Sequence, residues 1–171
     1  GSGTIAIEAA LIAKNRAPGL SRAFSAQKWR WLDAKSWLDA ADEAMDREFG
    51  GTYDIWGGDV DPKAVEIARA NAVKADVEDM VRFETADAAR FRRDTPYGRV
   101  VTNPPYGERM LEQRSAQRLY SAFGRHLKYA DGWKKYIISS EPEFEHYFGR
   151  QAVKKRKLYN GRLQCNVYMY Y

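Results

Sequence analysis

Two consecutive prolines, Pro104-Pro105, constrain this chain more than any other feature, because they close a short apolar run. Arg99-Val100-Val101, bounded by Gly98 on one side and the prolines on the other, reads as a buried strand. Proline donates no ladder hydrogen bond, so the strand must stop there and its end stays rigid. Asn103 offers an amide oxygen at that end, and a residue before proline is held extended. Pro104 exposes a carbonyl, and Tyr106 adds a flat ring. Two acceptors and a ring on a stiff turn suit an aromatic amine, whose N–H hydrogens go to the oxygens while its base stacks on the ring. A lone Asn-Pro would read as a plain strand-ending turn; the whole tetrapeptide after an apolar strand favours the binding role.

The chain begins Gly1-Ser2-Gly3-Thr4 and runs into Ile5–Ala13, apolar nearly all round, which predicts a buried helix packed on a sheet. Glycines before such a helix admit a ligand to the backbone, and the helix N-terminus supplies free N–H groups; a mere turn is the alternative. Glu8, the one charge in that helix, reads as a paired structural carboxylate. Pro18-Gly19 ends it. Residues 20–50 form an insertion holding Trp29, Trp31 and Trp37, in which Ala34, Trp37, Leu38, Ala41, Met45 and Phe49 recur at helical spacing. Such a segment lies at the N-terminal edge of the strands, whereas open α/β sheets bind ligands at the carboxyl edge. Core packing is therefore the expected job of these aromatics.

Tyr53–Gly58 reads as a strand leading to Asp59-Val60-Asp61-Pro62. Pro62 suits a first helical position with Asp61 as N-cap, for a helix to about Ala75. Asp59 is left at the strand tip. Val81, Phe83 and Thr85 alternate with polar neighbours in a third strand, ending at Ala86-Asp87-Ala88. A fourth strand covers Tyr97–Val101, a helix Ser115–Tyr129 with Leu119, Ala122, Phe123 and Leu127 on one face, and a fifth strand Trp133–Ser140. Pro142 opens a short helix to Phe148, and Asn160-Gly161 between two strand-like runs predicts a closing hairpin. The pattern predicts an α/β fold, a sheet mostly parallel with one antiparallel strand from the hairpin.

The stretches GSGT, GGDVDP, NPPY and KLYNG together resemble the class I S-adenosylmethionine-dependent methyltransferases that act on exocyclic amines of nucleic-acid bases. NPPY and GSGT are shared widely among amino-methyltransferases. Lys154–Cys165 and Ala17–Leu20 are similar to the ribosomal RNA guanine-N2 methyltransferases that carry an RNA-binding THUMP domain upstream. The resemblance spans all 171 residues as one Rossmann-like methyltransferase domain. It implies S-adenosylmethionine as cofactor, with Gly1 and Gly3 under the methionine part. It also implies Asp59 on the ribose hydroxyls, Val60 over the adenine, and Asp87 with Ala88 at the adenine amino group, although Asp87 suits a helix cap equally. Asn103, Pro104 and Tyr106 would carry the transfer, with Pro105 and Tyr106 against the target base. In that fold a strand precedes the glycine loop at the centre of the sheet, between those ending at Asp59 and Asn103. A truncated N-terminus is thus expected, and a loosely folded domain without that strand.

The net charge of +5 is uneven. Residues 149–171 hold Arg150, Lys154, Lys155, Arg156, Lys157 and Arg162 and no acid, which leaves 22 basic against 23 acidic residues elsewhere. A basic patch on a near-neutral body is a footprint for phosphates, so RNA is the expected partner; lysines protecting a sheet edge are the alternative. One cysteine and two histidines offer no metal cluster, and no apolar run spans a bilayer, so a reducing, cytoplasmic setting is expected. A nicotinamide dehydrogenase would share the glycine loop, but its ribose acid should follow about 20 residues on, well before Asp59. A DNA adenine-N6 methyltransferase would use the same NPPY, and a non-catalytic RNA-binding module would retain the fold.

Overall fold

The computed structural model describes residues 1–107, 110–128 and 130–171, which form two compact units, Gly1–Thr85 and Ala86–Tyr171. In the first, α1 (Thr4–Ala13) is followed by a 3-10 turn at Ser25–Lys28, α2 (Ala34–Asp46), β1 (Ile55–Asp59), α3 (Pro62–Lys74) and β2 (Val81–Thr85). Strands β1 and β2 pair in parallel, Ile55 opposite Val81 and Asp59 opposite Thr85. Asp61 caps α3 through the Lys63 N–H at 2.9 Å, with Pro62 at the first helical position.

The core of this unit holds Ile7, Ala10, Val65, Ala68, Ala72, Val77, Met80, Val81 and Phe83. Helix α1 is less buried than its composition implies: Ile7 and Ala10 are inside, while Ile5 and Ile12 are exposed. The ends of the three helices are tied by Arg16. It donates to Glu48 Oε1 at 2.7 Å, to Asp76 Oδ2 at 2.9 Å and to the Ala75 carbonyl at 3.2 Å.

The insertion corrects one expectation. Helix α2 forms over Ala34–Asp46 with Asp33 as N-cap, shorter than the 34–49 predicted, but it buries no residue. Leu38, Met45 and Phe49 are exposed, as are Trp29 and Trp31, the latter at 76%. Of the three tryptophans, Trp37 is half-covered, stacked on Phe24 with ring centroids 5.7 Å apart. Helical periodicity reports that one face is apolar; it does not report what lies against that face.

In the second unit β3 (Gly98–Thr102), α4 (Met110–Leu127), β4 (Trp133–Ser139), α5 (Phe144–Phe148), β5 (Lys154–Asn160) and β6 (Leu163–Tyr170) build a four-stranded sheet in the order β3-β4-β6-β5. β3 and β4 are parallel, and β6 runs antiparallel to both β4 and β5. The single antiparallel strand is therefore β6, and β5 lies at the edge. The predicted end of the fourth helix at Tyr129 lies outside the described residues. The buried face of α4 is Ala116, Tyr120, Phe123 and Leu127, with Leu119 only half-buried.

An aromatic stack fills this core. Phe144 lies 4.5 Å from Tyr168 and 5.0 Å from Tyr120, and Phe148 lies 4.7 Å from Tyr170 between centroids. Each such pair contributes about 0.5–1.5 kcal/mol beyond its area burial. Lys135 is buried beside them with its ammonium on the Ala130 carbonyl at 2.6 Å; burial lowers its pKa, and nearby Arg150 adds to this against Asp131.

Candidate active site

The glycine loop and the tip of β1 belong to the first unit. Gly3 stands before α1 with φ of +81°, and a Cβ there would lie 2.8 Å from both the Ala68 Cβ and the Phe83 ring. Glycine at this position is thus required by both the backbone and the packing. The loop is held to α3 by the Asn71 amide, which donates to the Ser2 carbonyl at 3.0 Å. Asp59 ends β1. Its Oδ1 accepts from the Asp61 N–H at 2.9 Å. The side chain keeps 27% of its surface exposed, and Val60 beside it is 73% exposed. An acid and an open apolar residue at a strand's carboxyl end fit a nucleoside, with the acid accepting from vicinal hydroxyls.

In the second unit Asp87 caps the 3-10 turn Ala88–Arg90, accepting from the Ala89 N–H at 2.9 Å, with Ala88 exposed at its start. The capping alternative is therefore realised in the structure for Asp87. The acceptor stretch follows β3 directly: Asn103 is exposed, Pro104 half-buried, Pro105 exposed and Tyr106 half-buried.

Two hydrogen bonds hold this stretch, and a further set of bonds backs the second of them. The Tyr106 hydroxyl donates to Asn103 Oδ1, which orients the amide and leaves that oxygen a second lone pair. The Tyr120 hydroxyl, from α4, donates to the Pro105 carbonyl at 2.8 Å. Ser139 Oγ, at the end of β4, donates to the Tyr120 oxygen at 3.3 Å and accepts from the Glu141 N–H at 3.1 Å. Glu141 is itself buried, accepting from Gln117 at 3.1 Å, while its carbonyl accepts from the Tyr168 hydroxyl at 3.2 Å.

Tyr120, Ser139 and Glu141 were not singled out by sequence. Counting tyrosine as apolar would have found Tyr120, since Ala116, Tyr120, Phe123 and Leu127 follow helical spacing better than a face through Leu119. The hairpin also reaches the site. Burial raises the Tyr106 phenol, the neighbouring Cys165 thiol adds to the rise, and nearby Asn160 and the hydrogen bond to Asn103 oppose it. A trough of about 570 Å³ along α4, lined by Arg114, Arg118, Arg125 and Tyr147 among others, contains none of the residues expected at the site.

Residues 1–169 match the family described as UPF0020, RMKL-like, methyltransferase domain. "Putative RNA methyltransferase YpsC" of Bacillus subtilis (strain 168) is 38% identical over all of this chain and 45% of its own length. "Ribosomal RNA large subunit methyltransferase K/L" of Hahella chejuensis is 38% identical over 99% of this chain and 25% of its own. Among solved structures, SMU.472 complexed with SAH superimposes with a TM-score of 0.96 at 39% identity, over 100% of this chain and 46% of that one. A structure described as a predicted N6-adenine-specific DNA methylase from Listeria monocytogenes gives 0.93 at 41% identity, over 100% and 44%. The chain thus spans less than half the length of each of these four relatives.

Proposed function

The chain belongs to the UPF0020 family of RMKL-like methyltransferase domains, and on that premise we propose that it transfers a methyl group from S-adenosylmethionine to the exocyclic N2 amine of a guanine in RNA, within 23S ribosomal RNA. Its fold is that of the class I methyltransferases. The observation that carries the reading is the pair of acceptors, Asn103 Oδ1 and the Pro104 carbonyl, at a strand end braced by Tyr106 and Tyr120.

When bound, S-adenosylmethionine would supply an electrophilic methyl on a sulfonium, whose carbon–sulfur bond breaks as the carbon–nitrogen bond forms. The residues that would hold it are Gly1 and Gly3 at the methionine part, Asp59 at the ribose, and Val60, Asp87 and Ala88 at the adenine. Guanine's amine is a poor nucleophile because its lone pair is delocalised into the ring. Asn103 and the Pro104 carbonyl take its two hydrogens, direct the lone pair, and stabilise the positive charge that develops on nitrogen. Tyr106 and Pro105 pack on the base and offset part of the cost of removing it from its stack. The nitrogen then loses a proton to water. In a protein of the relatives' length, an upstream RNA-binding domain would share the capture of RNA.

Mass spectrometry of nucleosides from 23S RNA, in cells with and without the full-length gene, tests this. Loss of N2-methylguanosine on deletion is expected; unchanged RNA nucleosides would refute it. The name of the Listeria relative favours a second reading, adenine-N6 methylation of DNA. Loss of N6-methyladenine from DNA in the same strains would select it.

A further inference from the structure

We propose that the tip of the β5–β6 hairpin binds the nucleotide next to the methyl-accepting base, with Tyr159 as its stacking ring and Lys157 and Arg162 on its phosphates. The proposal rests on the functional reading above and names how that site takes its substrate. The strand register supplies the geometry. β6 pairs with β4 only as far as Ser139 opposite Asn166. The β5–β6 ladder continues through Leu158–Cys165, Tyr159–Gln164 and Asn160–Leu163. The hairpin therefore overhangs the carboxyl end of β4 by three residue pairs. β3 runs parallel to β4, with Thr102 opposite Ile137, so the overhang lies at the edge where Asn103-Pro104-Pro105-Tyr106 emerges. The register thus carries the tip to the edge at which Tyr106, the ring assigned to the target base, follows β3.

Chemistry at the tip matches an unpaired nucleotide. Tyr159 is 61% exposed even with the Lys157 ammonium 5.5 Å over its ring. Lys157 and Arg162 are exposed, and residues 149–171 contain no acid. Edge protection explains lysines along β5 but does not call for an exposed aromatic at its end. Lys155 belongs to a different job, since its ammonium is paired with Glu145 on α5 at 2.8 Å. Stacking on an aromatic side chain tolerates any base, and a cation beside it takes the connecting phosphate.

The test uses the full-length protein and a fluorescent single-stranded RNA 12-mer with one central guanine, read by anisotropy across a salt series and by methyl incorporation. Tyr159→Ala is expected to weaken RNA binding about tenfold, and Tyr159→Phe to restore it. Lys157→Gln with Arg162→Gln should reduce the slope of log affinity against log salt by about 1.4, two phosphates on a single strand. S-adenosylmethionine affinity by calorimetry should be unchanged in all three. Wild-type RNA affinity and salt slope in the variants, with methylation intact, would overturn the hairpin proposal alone. A variant that loses cofactor and RNA binding together would overturn it in favour of a structural role. A wild type that methylates no RNA at all would overturn the functional reading, and this proposal with it.

Discussion

The Tyr120 hydroxyl donates to the Pro105 carbonyl at 2.8 Å, joining the middle of α4 to the acceptor stretch fifteen residues earlier. The same oxygen accepts from Ser139 at 3.3 Å, so α4, β4 and the end of β3 meet at one phenol. Its role would be positional: it fixes Pro105, and through it the two acceptors before it. Tyr120→Phe keeps the ring and its packing on Phe144 while removing the brace. Displacement of a positioning group costs on the order of ten- to a hundredfold in rate. Single-turnover methyl transfer by the full-length variant should slow by that factor with cofactor affinity unchanged. An unchanged rate would assign Tyr120 to the core alone.

Acid stability of the first unit should depend on Arg16. Its hydrogen bond is the main cause holding the Glu48 carboxyl below 4.5, and it lowers Asp76 in the same way. Folded values below unfolded ones stabilise the fold above about pH 4.5, and that contribution is lost as the pH falls through the folded values. Arg16→Ala should therefore lower the melting temperature at pH 7 and flatten its dependence on pH between 7 and 3. Parallel pH curves for the two proteins would contradict this.

Glycine matters differently at two positions. At Gly3 a side chain would meet the left-handed backbone and also Ala68 and Phe83, whereas at Gly161, φ +63°, it would meet open space. The backbone term alone is about 1–2 kcal/mol. Gly161→Ala should cost about that much, and Gly3→Ala clearly more, as read by urea denaturation. Equal losses would mean that the contacts around Gly3 relax freely.

Much of the frame is legible in the sequence because local chemistry dictates it. Pro104-Pro105 must end a strand, and Asp61-Pro62 must start a helix. What escapes is whatever depends on partners distant in the chain. The apolar spacing of Trp37, Leu38 and Met45 predicts α2 but not its exposure. The hairpin is where Asn160-Gly161 puts it, yet the register differs: Asn160 pairs with Leu163, and the two-residue loop is Gly161-Arg162, not Asn-Gly. That shift makes Asn160 the last paired residue of β5 and brings it to Tyr106. The Tyr120–Ser139–Glu141 chain was hidden for a simpler reason, since its members are separated by nineteen residues or two and share no motif.

The most direct measurement is the single-turnover rate of methyl transfer to RNA by the full-length protein carrying Asn103→Ala, alongside its affinity for S-adenosylmethionine. Removal of one preorganised polar group at the site of developing charge lowers turnover by a factor of about a hundred or more. The expected result is a loss of that size with cofactor affinity essentially unchanged. Methylation at the wild-type rate would contradict the assignment of Asn103 as the acceptor that directs the amine.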